Sequence, residues 1–338
     1  MNFFGRARTN ILSWTHKTPL PPSDQSYSRF QSWHYFGPAQ QWIATRPDNT
    51  SDPANPTKQG NTSNLVLLTW NIDATSSRAQ ERVTEIVTFL TGLDPKVDII
   101  FLQEVSRPAL QQILNDDRIR ESWFSSERDD TAWGKQSFAS MTLVSKACFA
   151  LDSDPGMSNA TLGPIWRVKY PSHFDRDALC CDIFAPSSSE PDSPSTRIRL
   201  VNVHLDSLPM KPSHRPRQIS IISSFLYTAG RGLVAGDFNP VLEGDASLIE
   251  ENGLTDAWTC LHPEEPGYTW GVDGEQPFPP NRLDKVAVLG LAPHNIKVLE
   301  PKRLSSLDGS TSQHNDRTDE IPWSDHHALV CSFGLSVK

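Results

Sequence analysis

The sequence predicts an α/β fold with mainly antiparallel strands, one large core and a polar N-terminal arm. Three observations carry this expectation. Apolar runs of strand length recur at 65–70, 97–102, 141–145, 148–151, 166–170, 179–184, 198–203, 233–235 and 286–289, with a last one after His326. Between them lie stretches with apolar residues at helical spacing: Val83, Ile86, Val87 and Leu90 within 78–93, and Ile219, Ile222 and Leu226 within 215–227. The 338 residues include 27 prolines, which favours one core with polar loops and ends over two small domains.

Residues 1–63 mix Pro, Ser, Asn and Gln with a group of aromatics: Tyr27, Phe30, Trp33, Tyr35, Phe36 and Trp42. Free disorder does not accumulate such side chains. The aromatic stretch 27–43 is therefore expected to pack on the main domain as part of a partly disordered arm, followed by a Pro/Asn/Thr linker. The domain proper begins near Asn64. Its first helix is ended by Gly92 and Pro95. Further helices are expected at 107–115 and 241–251, and polar loops at 186–195 and 305–319, the latter a candidate mobile loop. No repeat of fixed period and no Gly-rich phosphate loop of the Walker type occurs.

Polar residues gather at the ends of the apolar runs. Asn71 and Asp73 follow the first, and Gln103-Glu104 end the second. Arg176 precedes 179–184, and His204 and Ser207 come at the end of 198–203. Asp237 and Asn239 close LVAGDFN, Asp284 opens 286–289, and Asp325 and His326 precede the final run. Gly236 is expected to turn the backbone tightly, so that Asp237 and Asn239 point the same way. A carboxylate beside a carboxamide can orient a water, take its proton and fix a phosphate oxygen. A lone Gly-Asp-x-Asn can equally be a strand ending in an Asx turn. An ionised Glu104 at a buried strand end needs a salt-bridge partner or a hard cation such as Mg²⁺. His204 is either a donor to phosphate or a satisfied core histidine. Trp270, on a turn-rich segment, is either a stacking platform or a core side chain.

The net charge of −9 argues against a protein that coats nucleic acid through a broad basic face, though a narrow cleft with a cation and a few arginines remains open. Five cysteines, an odd number without CxxC spacing, read as reduced core residues of an intracellular protein, in the nucleus or the cytoplasm. No apolar run is long enough for a membrane span. The start, with Arg6, Arg8 and Lys17 before any acid, reads as a disordered tail or a weak organelle presequence.

Taken in order, TWNID (Asn71, Asp73), LQEV (Glu104), NVHLDS (His204), GDFN (Asp237, Asn239), RLDKV (Asp284) and SDHHALV (Asp325, His326) resemble the motifs of the endonuclease/exonuclease/phosphatase superfamily. Within it the sequence is most similar to the 5′-tyrosyl-DNA phosphodiesterases, through TWNID, HLDS followed by HRPRQ, and YTW upstream of RLDKV. The resemblance covers Asn64 to the C-terminus. It implies a four-layer α/β/β/α sandwich like that of deoxyribonuclease I, two mainly antiparallel sheets with the site at one end of both. It also implies Mg²⁺, replaceable by Mn²⁺, held chiefly by Glu104 with Asp73 acting directly or through water. Asp237 would deprotonate the attacking water, Asn239 would fix that water or the phosphate, and Asn71 would support them. His326, held by Asp284, and His204 would stabilise charge on phosphorus. Asp325 would shape the turn or the metal's surroundings. Arg176, Ser207 and Trp270 would contact substrate, implied to be a DNA 5′ end carrying a tyrosyl or protein adduct.

The sequence departs from that subgroup in two places. Pro240-Val241 stands where a basic residue follows the GD-x-N motif, and the segment before RLDKV is acidic and Pro-rich. A generic nuclease, or a phosphatase or phosphodiesterase of small metabolites or lipids, keeps the same chemistry on another substrate. A catalytically silent binding member is disfavoured, because Glu104, Asp237, Asn239 and His326 are all present.

Overall fold

The computed structural model describes residues 27–45, 64–151, 160–185, 195–304 and 320–335. The tail or presequence at the N-terminus, the linker before Asn64 and the loops at 186–194 and 305–319 lie outside these residues. The strands run β1 (Tyr27–Gln31), β2 (His34–Gly37), β3 (Gln41–Ala44), β4 (Asn64–Asn71), β5 (Ile99–Ser106) and β6 (Trp123–Ser125). They continue with β7 (Phe138–Ser145), β8 (Phe149–Ala150), β9 (Ala160–Lys169), β10 (Asp177–Ala185), β11 (Thr196–His204) and β12 (Gly232–Asp237). The last are β13 (Thr255–Asp256), β14 (Asp284–Leu289), β15 (Ala292–Leu299), β16 (Arg303–Leu304), β17 (Ile321–Pro322) and β18 (Ala328–Gly334). The α-helices are α1 (Ala79–Thr91), α2 (Arg107–Asn115), α3 (Asp117–Ser122), α4 (Arg215–Ala229), α5 (Leu248–Glu251) and α6 (Ala257–Leu261).

Two eight-stranded sheets result. One has the order β1-β9-β10-β11-β12-β14-β13 with β8 beside β9, and the other β15-β18-β4-β5-β7-β6-β2-β3. Their inner faces share a core to which Leu67, Ile99 and Phe333 come from one sheet and Leu179, Leu200 and Val286 from the other. A second core packs α1 and α2 on one outer face, and a third packs α4 on the other. The expected mainly antiparallel four-layer sandwich is what forms. Among the described residues parallel pairing is confined to β4–β5, β11–β12 and β8–β9. The first two pairs each enclose a helix, α1 or α4, because parallel neighbours need a long crossover.

Capping sets the helix ends. Ser106 accepts from the Ala109 amide ahead of α2, and Gly230, at φ 78°, stops α4. The helix expected over 241–251 is broken instead into a single 3-10 turn (Glu243–Asp245) and the short α5. The Asp245 carboxylate folds back onto the Leu242 amide and also takes the buried Arg215 guanidinium, each at 2.8 Å. Gly236 does not make a turn. It lies within β12, where a Cβ would come 1.9 Å from the Val203 carbonyl oxygen. Cys260 is exposed on α6 rather than buried.

Residues 27–44 join both sheets. β1 pairs with β9 along one sheet's edge, and the β2–β3 hairpin attaches to β6 at the edge of the other. Between them Trp33 enters the inter-sheet core, and its indole nitrogen donates to the Gly163 carbonyl at 3.1 Å. Among the described residues no helix is long and apolar enough to cross a membrane.

Candidate active site

Strand register brings the motif residues together. His204 pairs with Asp237, and Asp237 with Asp284, across three adjacent strands of one sheet. In the other sheet Asn71 pairs with Gln103 at the same end, and β18 runs antiparallel to β4, so that His326 precedes it there. Asn71 Nδ2 donates to Asp237 Oδ2 at 3.0 Å, which joins the two sheets across the site. The same nitrogen lies 3.4 Å from Glu104 Oε1.

Glu104 reaches this point through an irregularity. The register of β5 against β7 shifts between Leu102 and Val105, and Glu104 has φ 54°. A bulge of this kind re-aims a side chain. One Glu104 oxygen accepts from the Ala74 amide at 2.9 Å, while the other faces His204 Nε2 at 3.7 Å. Asp73 and Asn239 also take positive φ, 53° and 46°. Three non-glycine residues of the expected site thus sit in the sparsely populated left-handed region, which costs energy unless the surroundings impose it.

Asp237 is buried beneath these groups. Burial raises its pKa, the charge of His326 opposes this, and Asp284 adds to it, for a value of about 7. His326 Nδ1 is 2.8 Å from Asp284 Oδ2, and its Nε2 is 4.0 Å from Asp237 Oδ2. Burial works against its charge, but Asp284, Asp237 and Asp325 prevail and raise its pKa to about 10. His204 behaves oppositely. Burial, then the positive Arg176 and His326, hold it well below the usual imidazole range. Its Nε2 lies 3.3 Å from Asp237 Oδ2 and has no hydrogen-bond partner, so it is not a satisfied core histidine.

The other expected residues fall around this centre. Arg176 is buried between Phe138 and Phe174, with ring centroids 5.2 and 5.5 Å from its guanidinium carbon. One nitrogen donates to Ser207 Oγ at 3.2 Å, and two others have no partner. Asn239 donates from its amide side chain to the Leu205 carbonyl at 3.2 Å and from its backbone to Asp237 Oδ1 at 2.9 Å. It therefore fastens two strand-end loops together. Trp270 is half-buried rather than core. Its indole nitrogen donates to Asp325 Oδ2 at 3.0 Å, and its backbone bridges to His326 and Asn281.

Asp73 is engaged in its own turn. One carboxylate oxygen accepts from the Thr75 amide (2.9 Å), the Thr75 hydroxyl (2.7 Å) and the Ser76 amide (3.1 Å), and the other from the Ser76 hydroxyl. Burial opposes its ionisation, but these bonds lower its pKa overall. Among the described residues no group of three His, Cys, Asp or Glu is arranged to hold a metal ion. Glu104 by itself fits a hard cation. It is a partly exposed carboxylate with one oxygen held only by long contacts, and Mg²⁺ is commonly bound by one or two carboxylates with water and substrate phosphate.

Several supporting residues carry no signal of strand-end chemistry. Arg82 lies on the apolar face of α1, where its charge among Val83, Ile86 and Val87 is the only hint. It donates to the carbonyls of Ile72, Asp73, Ser76 and Trp323, fixing the turn after β4. Ser324 Oγ donates to the Asn71 carbonyl at 2.6 Å and accepts from the His326 amide at 3.0 Å. Gln103, unlike these, does stand at a strand end in the sequence, and it donates to Asn202 Oδ1 at 2.8 Å in the buried core behind the site. Phe138 stacks on the His204 ring at 6.1 Å.

No family model matches the chain. Tyrosyl-DNA phosphodiesterase 2 of Xenopus tropicalis is 24% identical over 236 residues, which is 68% of this chain and 55% of that protein, so the chain spans about half the length of the curated relative it matches. The crystal structure of D. rerio TDP2 complexed with single-strand DNA product superposes with a TM-score of 0.57 at 16% identity, over 80% of this chain and 99% of that one. An endonuclease/exonuclease/phosphatase family protein from Bacteroides thetaiotaomicron superposes with a TM-score of 0.51 at 14% identity, over 81% and 96%. The chain has the fold of the endonuclease/exonuclease/phosphatase proteins and, among them, resembles tyrosyl-DNA phosphodiesterase 2.

Proposed function

We propose that this chain is a metal-dependent phosphodiester hydrolase that removes 5′-tyrosyl adducts from DNA ends. The observation that carries the chemistry is the buried Asp237 carboxylate, which accepts from Asn71 and faces both His204 and His326. A base whose pKa stands near 7 is matched to taking a proton from water at neutral pH. His326, kept cationic by Asp284, is placed to donate to oxygen that gains charge at phosphorus. The unpartnered Nε2 of His204 and nitrogens of Arg176 are donors held ready for phosphate oxygens, with no native bond to break first. Glu104 would hold the divalent cation, Mg²⁺ in this reading, which when bound supplies positive charge to the phosphate. Asn71 orients Asp237 and Glu104 together, and Asn239 keeps the loops at their positions.

The DNA substrate is supported by the likeness to tyrosyl-DNA phosphodiesterase 2 and by a structural neighbour complexed with single-strand DNA product. Trp270, its indole fixed by Asp325, would give an unpaired base or aromatic group a rigid wall. This reading places the protein where DNA ends are repaired, in the nucleus.

The test is turnover of a single-stranded oligonucleotide with a 5′-phosphotyrosine, beside a 3′-phosphotyrosyl strand and a panel of sugar and inositol phosphates, with Mg²⁺ and with chelator. We expect tyrosine release from the 5′ strand alone, lost with chelator and restored by Mg²⁺ or Mn²⁺. Turnover confined to the small phosphates would remove the DNA assignment, and chelator-resistant turnover would remove the cation.

A further inference from the structure

Among the buried ion pairs that the mechanism does not use, one cluster joins the two sheets. Arg167 on β9 is buried and reaches in two directions. Its Nη1 donates to Asp177 Oδ1 at 2.9 Å, and its Nη2 to Glu127 Oε1 at 2.5 Å and to the Ser140 carbonyl at 2.8 Å. Arg167 and Asp177 belong to the sheet that carries His204 and Asp237, whereas Ser140 and the Glu127 that follows β6 belong to the sheet that carries Asn71 and Glu104. Gln31 of β1 closes the cluster, donating to Glu127 Oε1 at 3.2 Å and to the Ser126 carbonyl at 2.7 Å.

Such a cluster is poorly explained by stability. Removing ions from water is costly, and apolar replacements of similar volume often hold a fold equally well. Its location suggests another use. Asp177 and Ser140 line the same cleft as Arg176, Phe138 and His204. Phe138 in turn contacts both the His204 ring and the Arg176 guanidinium. The active site is assembled from both sheets, so a small change in their separation displaces Glu104 and Asn71 relative to Asp237 and His204.

We propose that the Glu127–Arg167–Asp177 tie, closed by Gln31 of the N-terminal arm, is a positioning device that sets the spacing between the two halves of the active site. It rests on the hydrolase reading above. Arg167 holds one sheet through Asp177 and the other through Glu127 and Ser140. Gln31 makes the arm a working part of the site, although it lies far from it in sequence.

The test replaces the cluster with apolar residues, Glu127→Leu/Arg167→Met/Asp177→Leu, in the full chain. Three readouts are taken: melting temperature, the kcat and KM of phosphodiester hydrolysis, and the ring-nitrogen NMR signals of His204 and His326 in the metal-free protein. We expect a melting temperature within a few degrees of wild type, kcat lower by about 10- to 100-fold with KM changed less than about twofold, and displaced His204 signals. Unchanged kcat and unchanged ring signals in a folded variant would overturn the proposal. If the triple variant does not fold, Gln31→Leu is read the same way, with kcat lower by about threefold or more and the His204 signals again displaced. A wild-type protein inactive on every phosphodiester would instead defeat the hydrolase reading, and the ring signals alone would then decide the tie.

Discussion

At the residue scale, the proposed acid–base work falls to two buried groups whose surroundings push them differently. Burial lifts Asp237 to about 7, while Asp284 and its neighbours overcome burial and lift His326 to about 10. A deprotonated base and a cationic donor therefore coexist between these values. Activity of the proposed kind should rise through an acidic limb near 7 and fall through an alkaline limb near 10. Asp284→Asn removes the leading support of the imidazolium, so the alkaline limb should move to lower pH, as read from a pH–kcat profile. A limb that stays in place would detach Asp284 from His326. The same linkage acts on stability. The native pKa of His326 is raised, so its stabilising contribution is complete below about 6.5, the ordinary histidine value, and is lost as pH rises through about 10.

These residues were legible in the sequence because buried strands are apolar runs, and a polar residue at the end of such a run stands out. What stayed hidden depended on local geometry. The bulge that re-aims Glu104 is a register shift between two strands and has no composition of its own. The turn in which the Asp73 carboxylate accepts from the hydroxyls of Thr75 and Ser76 likewise has no mark at its motif position.

At the scale of elements, the long buried strands and α1, α2 and α4 followed their periodicity closely, since each presents one apolar face to a core. Elements without such a face were missed. β15 is mostly exposed along an edge, so it shows no apolar run. The stretch 241–251 has helical composition, but the pull of Arg215 on Asp245 breaks it. The arm's aromatics signalled packing, though not that β1 and β2 would continue different sheets. Trp33 sits at that crossing, and Trp33→Ala should cost about 3–5 kcal/mol as a core cavity, measured by denaturant unfolding. A cost below about 1 kcal/mol would mean that the arm is an appendage rather than part of the sandwich.

At the scale of the molecule, two parallel crossovers, one in each sheet, deliver Asn71, Glu104, His204 and Asp237 to one end, and antiparallel returns bring Asp284 and His326 there. An overall charge of −9 surrounds a centre in which Glu104, Asp73, Asp237, Asp284 and Asp325 outnumber the buried cations Arg82, Arg176 and His326. In the proposed reading a divalent ion at Glu104 would supply the positive charge that a polyanionic substrate needs there.

The most direct measurement is a single-turnover assay of a 5′-phosphotyrosyl strand with Asp237→Asn beside wild type, with binding followed separately. An amide keeps the shape and the Asn71 contact but cannot take a proton. The account predicts hydrolysis slower by about 10²-fold or more, in line with loss of a general base, while affinity stays within a few fold. Near-normal turnover by Asp237→Asn would contradict it, because the carboxylate at the centre of the site would then have no part in the chemistry.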